Sequence, residues 1–161
     1  MDIIEKTINC GHSHNYQKYI ELNFSSGDPI LDQVIKRGTS LAKKVNVNDP
    51  SGDARGLEQR ISANCRGVLT EISTKILLEN TINERKIDAV LTESTEMITN
   101  IEGVTQIDLQ VNIHDNQYEI EIRSSCVRNG TPFGITKGYF NIVGWYSTVS
   151  KPGETKKDFY A

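Results

Sequence analysis

One continuous helical stripe constrains the fold of this 161-residue chain more than any other feature. Within residues 54–80, apolar side chains recur every three or four positions, at Leu57, Ile61, Cys65, Val68, Ile72 and Ile76. That spacing predicts an α-helix whose apolar side must pack against other elements. Gly67 lies inside this helix, and because glycine weakens a helix, we expect another backbone to approach closely there.

A second, shorter helix is predicted upstream of the stripe. Asp28 is a favourable N-cap residue, and Pro29 suits the first helical position. Apolar side chains then recur at helical spacing as far as Val45, so the helix is expected from Pro29 to about Val45. Before it, residues 16–24 alternate loosely and predict a peripheral strand.

After residue 80 the apolar period changes from 3.6 to 2, which indicates strands. Residues 104–113 and 118–125 show this alternation clearly, and 139–147 form an apolar run typical of a buried strand. Weaker strand patterns occur at 86–91 and 97–101. Helices followed by several strands predict the α+β class.

Composition excludes several classes of protein. With 37% hydrophobic and 24% charged residues, the chain resembles neither a disordered nor a membrane protein. The formal net charge of −3 argues against a simple basic clamp on nucleic acid, although it leaves open an enzyme that meets phosphates through bound cations. Three scattered cysteines do not predict a disulfide framework, and no signal peptide is visible. We therefore expect a soluble, cytoplasmic protein.

The two clearest strands predict a hairpin with acidic residues on one face. A turn at Asp115–Asn116 would place Gln110 opposite Glu121 and Asp108 opposite Arg123. Asp108 and Glu121 would then be diagonal neighbours, about 7–8 Å apart and able to share a cation. The alternative is an ordinary solvated face on which Arg123 pairs with Asp108.

The order of these elements resembles the core of the restriction-endonuclease-like superfamily, the PD-(D/E)XK nucleases. Asp108 and the later segment Glu121-Ile122-Arg123 resemble the motif of that family, in which an Asp on one strand is followed by Glu-x-Lys on the next. Glu71 matches an acidic position on the first helix of the family. The resemblance covers residues 54–147. It implies a mixed, mostly antiparallel sheet of four or more strands flanked by helices.

The resemblance also implies an activity, namely hydrolysis of DNA phosphodiester bonds in restriction or phage defence. Asp108, Glu121 and Glu71 would hold Mg²⁺ or Mn²⁺, and Arg123 would orient the attacking water or stabilise the transition state. Arg123 departs from the lysine of the family, and arginine does not deprotonate in proteins. An inactive copy that binds nucleic acid or a protein partner is therefore the alternative. A small α+β interaction domain unrelated to nucleases is a third interpretation.

The sequence and the resemblance together lead to expectations about domain organisation and binding partners. Residues 1–161 are expected to form a single domain with a peripheral helix and strand in 1–53, although the abrupt apolar end also suits a fragment of a longer protein. DNA is the expected partner, with a homodimer or a larger defence complex as further options, and no membrane. Basic residues on the first helix, at Lys36, Arg37, Lys43 and Lys44, fit either a solvated face or contact with a DNA backbone.

Overall fold

A computed structural model describes residues 1–9, 16–44, 54–93, 108–122 and 158–160 of the chain. These residues belong to two compact units, one ending at Gln33 and the other beginning at Val34, so the boundary falls inside a helix. Helices and antiparallel strands both occur, which confirms the α+β class. The expectation of a single domain over the whole chain stays a prediction.

The first unit contains an antiparallel strand pair. β1 (Asp2–Asn9) runs beside β2 (Tyr16–Asn23), with Asp2 opposite Asn23 and Asn9 opposite Tyr16. β2 confirms the predicted strand. β1 was not predicted, because the adjacent isoleucines at positions 3 and 4 interrupt the alternation expected of a strand with one buried side.

Helix α1 (Pro29–Ala42) begins where the sequence predicts. The Asp28 Oδ1 atom accepts the backbone N–H of Ile30 at 3.0 Å, as an N-cap side chain should. This bond is the main reason that the pKa of Asp28 lies below its ordinary value. The N-terminal ammonium group of Met1 lies 3.3 Å from Asp28 Oδ2 and adds a second favourable contact.

Helix α2 (Leu57–Arg85) extends beyond the predicted end near residue 80. It stops where Lys86 adopts a left-handed conformation, with φ of 52°. The N–H of Lys86 then donates to the carbonyl of Asn83, and the N–H of Ile87 donates to that of Ile82. Although α2 has 29 residues, no helix within the described residues is both long and apolar enough to cross a membrane.

The two helices pack closely against each other at Gly38 of α1. A Cβ atom at Gly38 would lie only 2.8 Å from the Cα atom of Cys65 in α2. The expectation of a close approach at Gly67 is wrong, since a Cβ atom there would meet nothing within 4 Å. The helix-packing glycine is thus on the shorter helix.

The second unit contains a sheet in the order β3, β4, β5, β6. Three antiparallel strands, β3 (Ala89–Glu93), β4 (Leu109–Ile113) and β5 (Asn116–Glu121), make up most of it. The two-residue strand β6 (Phe159–Tyr160) joins β5 in parallel. The strands predicted at 97–101 and 139–147 lie outside the described residues, so the larger nuclease-like sheet stays a prediction.

The hairpin of β4 and β5 forms, but its register differs from the predicted one by two residues. Gln110 lies opposite Glu119, and Ile113 lies opposite Asn116. The turn is therefore His114–Asp115, one position earlier than predicted, with His114 at φ 53°. Positive φ at the first central residue is what tight hairpin turns require.

The side of each strand that faces the core is the predicted one. Leu109 is fully buried and forms a cluster with Val111 and Ile120. Leu78 of α2 packs against this cluster, as do Leu91 and other partly buried side chains of the sheet. A shift of two residues preserves which side chains share a face, because the period of a strand is two.

We expect Gly38→Ala to lower the free energy of unfolding by about 1–3 kcal/mol, because the new methyl group would press on backbone atoms of Cys65. Gly67→Ala is the matched control and should raise the free energy of unfolding by up to about 1 kcal/mol. Urea unfolding followed by circular dichroism measures both values. Equal effects of the two substitutions would contradict the described helix crossing.

Candidate functional site

The predicted acidic residues lie on α2 and at one end of the β4–β5 hairpin. Asp108 immediately precedes β4, and Glu121 is the last residue of β5. Extending the observed register by one residue places Asp108 directly opposite Glu121 instead of diagonal to it. Cβ atoms at such positions are about 4.5–5.5 Å apart. Arg123 lies outside the described residues, so its predicted role stays a prediction.

The carboxylate of Asp108 is held by the neighbouring strand. Its Oδ2 atom accepts the backbone N–H of Ile122 at 2.6 Å. This is a short, charge-assisted hydrogen bond across the end of the hairpin. It fixes the side chain of Asp108 beside the residue that follows Glu121.

Glu121 is buried, with only 7% of its surface exposed. Glu121 is therefore not part of a solvent-exposed face of the hairpin. Placing a carboxylate away from water is unfavourable unless charges or hydrogen-bond donors compensate for it. Glu119, two residues earlier on the same strand, is half-buried. Of the two acidic residues on β5, Glu121 is thus the one placed in a protected position.

Glu71 forms an ion pair with α1. The Nη2 atom of Arg37 lies 2.8 Å from Glu71 Oε1, and the Glu71 side chain is 14% exposed. Burial raises the pKa of Glu71 above its ordinary value, while the guanidinium of Arg37 opposes that rise. The charges of Asp108 and Glu93 raise this pKa further. Glu71 and Asp108 are therefore close enough for their carboxylates to repel each other.

Two residues of this region, Lys75 and Glu93, were not anticipated from the sequence. The ammonium group of Lys75 forms an ion pair with Glu93 at the end of β3, and it lies 3.8 Å from Glu79 Oε1. The hydrogen bond to Glu93 is the main reason that the pKa of Lys75 lies above its ordinary value. The spacing of four between Glu71 and Lys75 was visible in the sequence, but their partners depend on the tertiary fold.

The three predicted metal ligands differ in how well they suit a cation. Within the described ranges, no group of three or more His, Cys, Asp or Glu side chains has an arrangement that could hold a metal ion. Asp108 and Glu121 lie just beyond the last pair of the β4–β5 ladder, Leu109 and Ile120, whereas Glu71 is ion-paired with Arg37. Mg²⁺ needs only one or two carboxylates when water and phosphate oxygens complete its shell.

Comparison with known proteins relates the chain to an uncharacterized protein of Methanocaldococcus jannaschii. The two are 28% identical over 148 residues, a match that covers 88% of this chain and 52% of the relative. The chain thus spans about half the length of the curated relative that it matches. No family model matches, and no solved structure matches.

We expect Arg37→Met to raise the pKa of Glu71 and to destabilise the protein by about 1–2 kcal/mol at pH 7, a modest value because Arg37 is partly exposed. A raised folded-state pKa means that the Glu71 contribution to stability falls as pH rises from the ordinary value of 4.5 through the folded value. Without Arg37 the pKa of Glu71 is higher, so the loss of stability between pH 4 and pH 7 is larger. The substitution should therefore destabilise the protein less at pH 4 than at pH 7.

Urea unfolding at both pH values, beside the parent protein, measures this difference. The control is the double variant Arg37→Met/Glu71→Gln, which removes the buried charge and should recover part of the stability at pH 7. An equal loss at pH 4 and pH 7, with no recovery in the double variant, would contradict a charge interaction between these two side chains.

Proposed function

We propose that this chain is a metal-dependent nuclease domain of the PD-(D/E)XK type, which hydrolyses DNA phosphodiester bonds. The proposal rests on the burial of Glu121, which the observed register, extended by one residue, places opposite Asp108. Buried titratable groups that face each other are more common at functional sites than on ordinary strand surfaces. The resemblance of Asp108, Glu121 and Arg123 to the nuclease motif gives the chemistry.

In this proposal Asp108 and Glu121 hold the metal ion, and the chain positions them before substrate arrives. Bound Mg²⁺ or Mn²⁺ would activate the attacking water and relieve charge at the attacking and leaving oxygens. The N–H of Ile122 fixes the Asp108 carboxylate through its 2.6 Å hydrogen bond. Arg37 favours the ionised form of Glu71, which would assist from α2. Arg123 would orient the water or stabilise the transition state.

The wider proposal follows the same resemblance. The described strands would belong to a restriction-endonuclease-like core of four or more strands spanning residues 54–147. The setting would be restriction or phage defence in the cytoplasm, with a homodimer or a larger defence complex as the working assembly. The match to about half of a longer relative is compatible with a nuclease domain inside a larger protein.

A second candidate function is a catalytically inactive module of the same fold that binds nucleic acid or a protein partner. Three observations favour it. Glu71 is already neutralised by Arg37 at 2.8 Å, and the described part of the chain contains no three-ligand metal group. The arginine at position 123, in place of the lysine of the family, points the same way.

We expect the protein to cleave plasmid DNA in Mg²⁺ or Mn²⁺ but not in EDTA. Asp108→Asn and Glu121→Gln should each reduce the cleavage rate by roughly a hundredfold or more, because each removes one negative charge from the metal. Agarose-gel assays of supercoiled plasmid over time measure the rates.

Glu119→Gln is the matched control, since it makes the same chemical change on the same strand two residues from Glu121. It should cleave like the parent protein. DNA binding without metal-dependent cleavage would support the inactive module instead. Cleavage that survives both Asp108→Asn and Glu121→Gln would exclude the proposed site.

A further inference from the structure

Positive charge is concentrated on one part of the second unit, where α1 crosses the start of α2. Residues 34–44 and 54–66 contain a single acidic residue, Glu58. The same residues contain seven basic side chains: Lys36, Arg37, Lys43, Lys44, Arg55, Arg60 and Arg66. We call the three exposed lysines, Lys36, Lys43 and Lys44, the basic surface. The protein as a whole carries a net charge of −3, so this concentration is local.

The rest of the unit has the opposite sign. Residues 71–93 and 108–122 contain nine acidic residues against three lysines and arginines. The proposed metal pair, Asp108 and Glu121, lies in that acidic part. Phosphates would be repelled there until a cation is bound. A separate region of positive charge would attract a polyanion to this unit before a cation is bound.

Helical spacing directs Lys36 of α1 away from α2. Gly38 packs on Cys65, and the carbonyls of Val34 and Ala42 accept hydrogen bonds from Cys65 and Arg60 of α2. Positions 34, 38 and 42 are thus the side of α1 that faces α2. Positions 36 and 40 fall on the opposite side of the helix, where Lys36 and Ser40 are exposed, and the exposed Lys43 directly follows the last residue of α1.

Stabilisation of the α1 C-terminus does not explain all of this charge. The carbonyl end of a helix attracts cations, and Lys43 and Lys44 lie next to it. However, the guanidinium of Arg60 already donates to the Ala42 carbonyl at 2.9 Å. Lys36 lies almost two turns before the helix end, beyond the range of that effect. The additional like charges repel one another, so a polyanionic partner is the simpler explanation.

We propose that the basic surface binds the phosphate backbone of DNA. Lys36 lies on α1 and Lys43 directly follows its last residue. Seven residues at the rise of a helix correspond to roughly 10.5 Å. Successive phosphates of one DNA strand advance about 3.4 Å along the duplex axis. The separation of Lys36 and Lys43 therefore matches a run of about three phosphates. The choice of DNA over other polyanions rests on the proposed function.

Binding to a fluorescein-labelled DNA duplex, followed by fluorescence anisotropy in EDTA, tests this surface without cleavage. We expect Lys43→Gln to weaken binding by roughly eightfold at 0.1 M salt and to reduce the salt slope by about 0.9, the value for one phosphate contact. Ser40→Glu, which places a negative charge between Lys36 and Lys43, should weaken binding at least as much. The triple arginine variant Lys36→Arg/Lys43→Arg/Lys44→Arg should bind like the parent protein.

Two control variants change net charge by the same amount elsewhere. Lys18→Gln removes a positive charge from β2, and Asn80→Asp adds a negative charge to the exposed side of α2 in the acidic part. Both should bind like the parent. Equal weakening by Lys43→Gln and the two controls would overturn the proposal, as would the absence of duplex binding. Tighter binding to phosphatidylserine vesicles or polyglutamate than to the duplex would assign the surface to a membrane or an acidic protein and also overturn it.

The DNA-binding role of the basic surface and the proposed nuclease activity can be tested separately. Asp108→Asn should bind the duplex in EDTA, because the basic surface does not contain Asp108. Surface-dependent binding without cleavage would support the DNA-binding role and contradict only the proposed nuclease activity. Metal-dependent cleavage, with duplex binding unaffected by Lys43→Gln and Ser40→Glu, would contradict only the proposed DNA-binding role of the basic surface.

Discussion

The pairing register of β4 and β5 is the constraint on which the candidate site depends. A tight turn at His114–Asp115 sets Leu109 opposite Ile120, and the same ladder continued outward brings Asp108 opposite Glu121. The apolar cluster around Leu109 holds one face of the hairpin against α2. A slip of one residue would turn that cluster towards water, so burial of the apolar side chains also fixes the position of the carboxylates.

Helices α1 and α2 each place a charged side chain near the acidic residues of the hairpin. α2 carries Glu71 towards Asp108, and α1 supplies Arg37 as its partner at 2.8 Å. The crossing at Gly38 and Cys65 lets α1 approach closely enough for Arg37 to reach Glu71. The same crossing directs Lys36 to the opposite side of α1, and the exposed Lys43 directly follows the last residue of this helix. One packing contact therefore helps to position both the acidic region and the basic surface.

Much of the local structure could be predicted from the sequence because it depends on local chemistry. The N-cap at Asp28, the stripe of α2 and the core face of the hairpin all follow from neighbouring residues. The register could not be fixed, because His114–Asp115 and Asp115–Asn116 are both chemically suitable turns, and packing decides between them. The glycine at the helix crossing and the partner of Glu71 depend on α1 and α2 meeting, which a single sequence does not specify.

Interstrand nuclear Overhauser effects in the hairpin report its pairing register. We expect contacts between the backbone protons of Gln110 and Glu119, and of Val111 and Tyr118. We also expect the amide of Ile122, held by Asp108 Oδ2, to exchange slowly with solvent and to lose this protection in Asp108→Ala. Contacts between Gln110 and Glu121 in their place, with an unprotected Ile122 amide, would contradict this register and the direct opposition of Asp108 and Glu121 that follows from it.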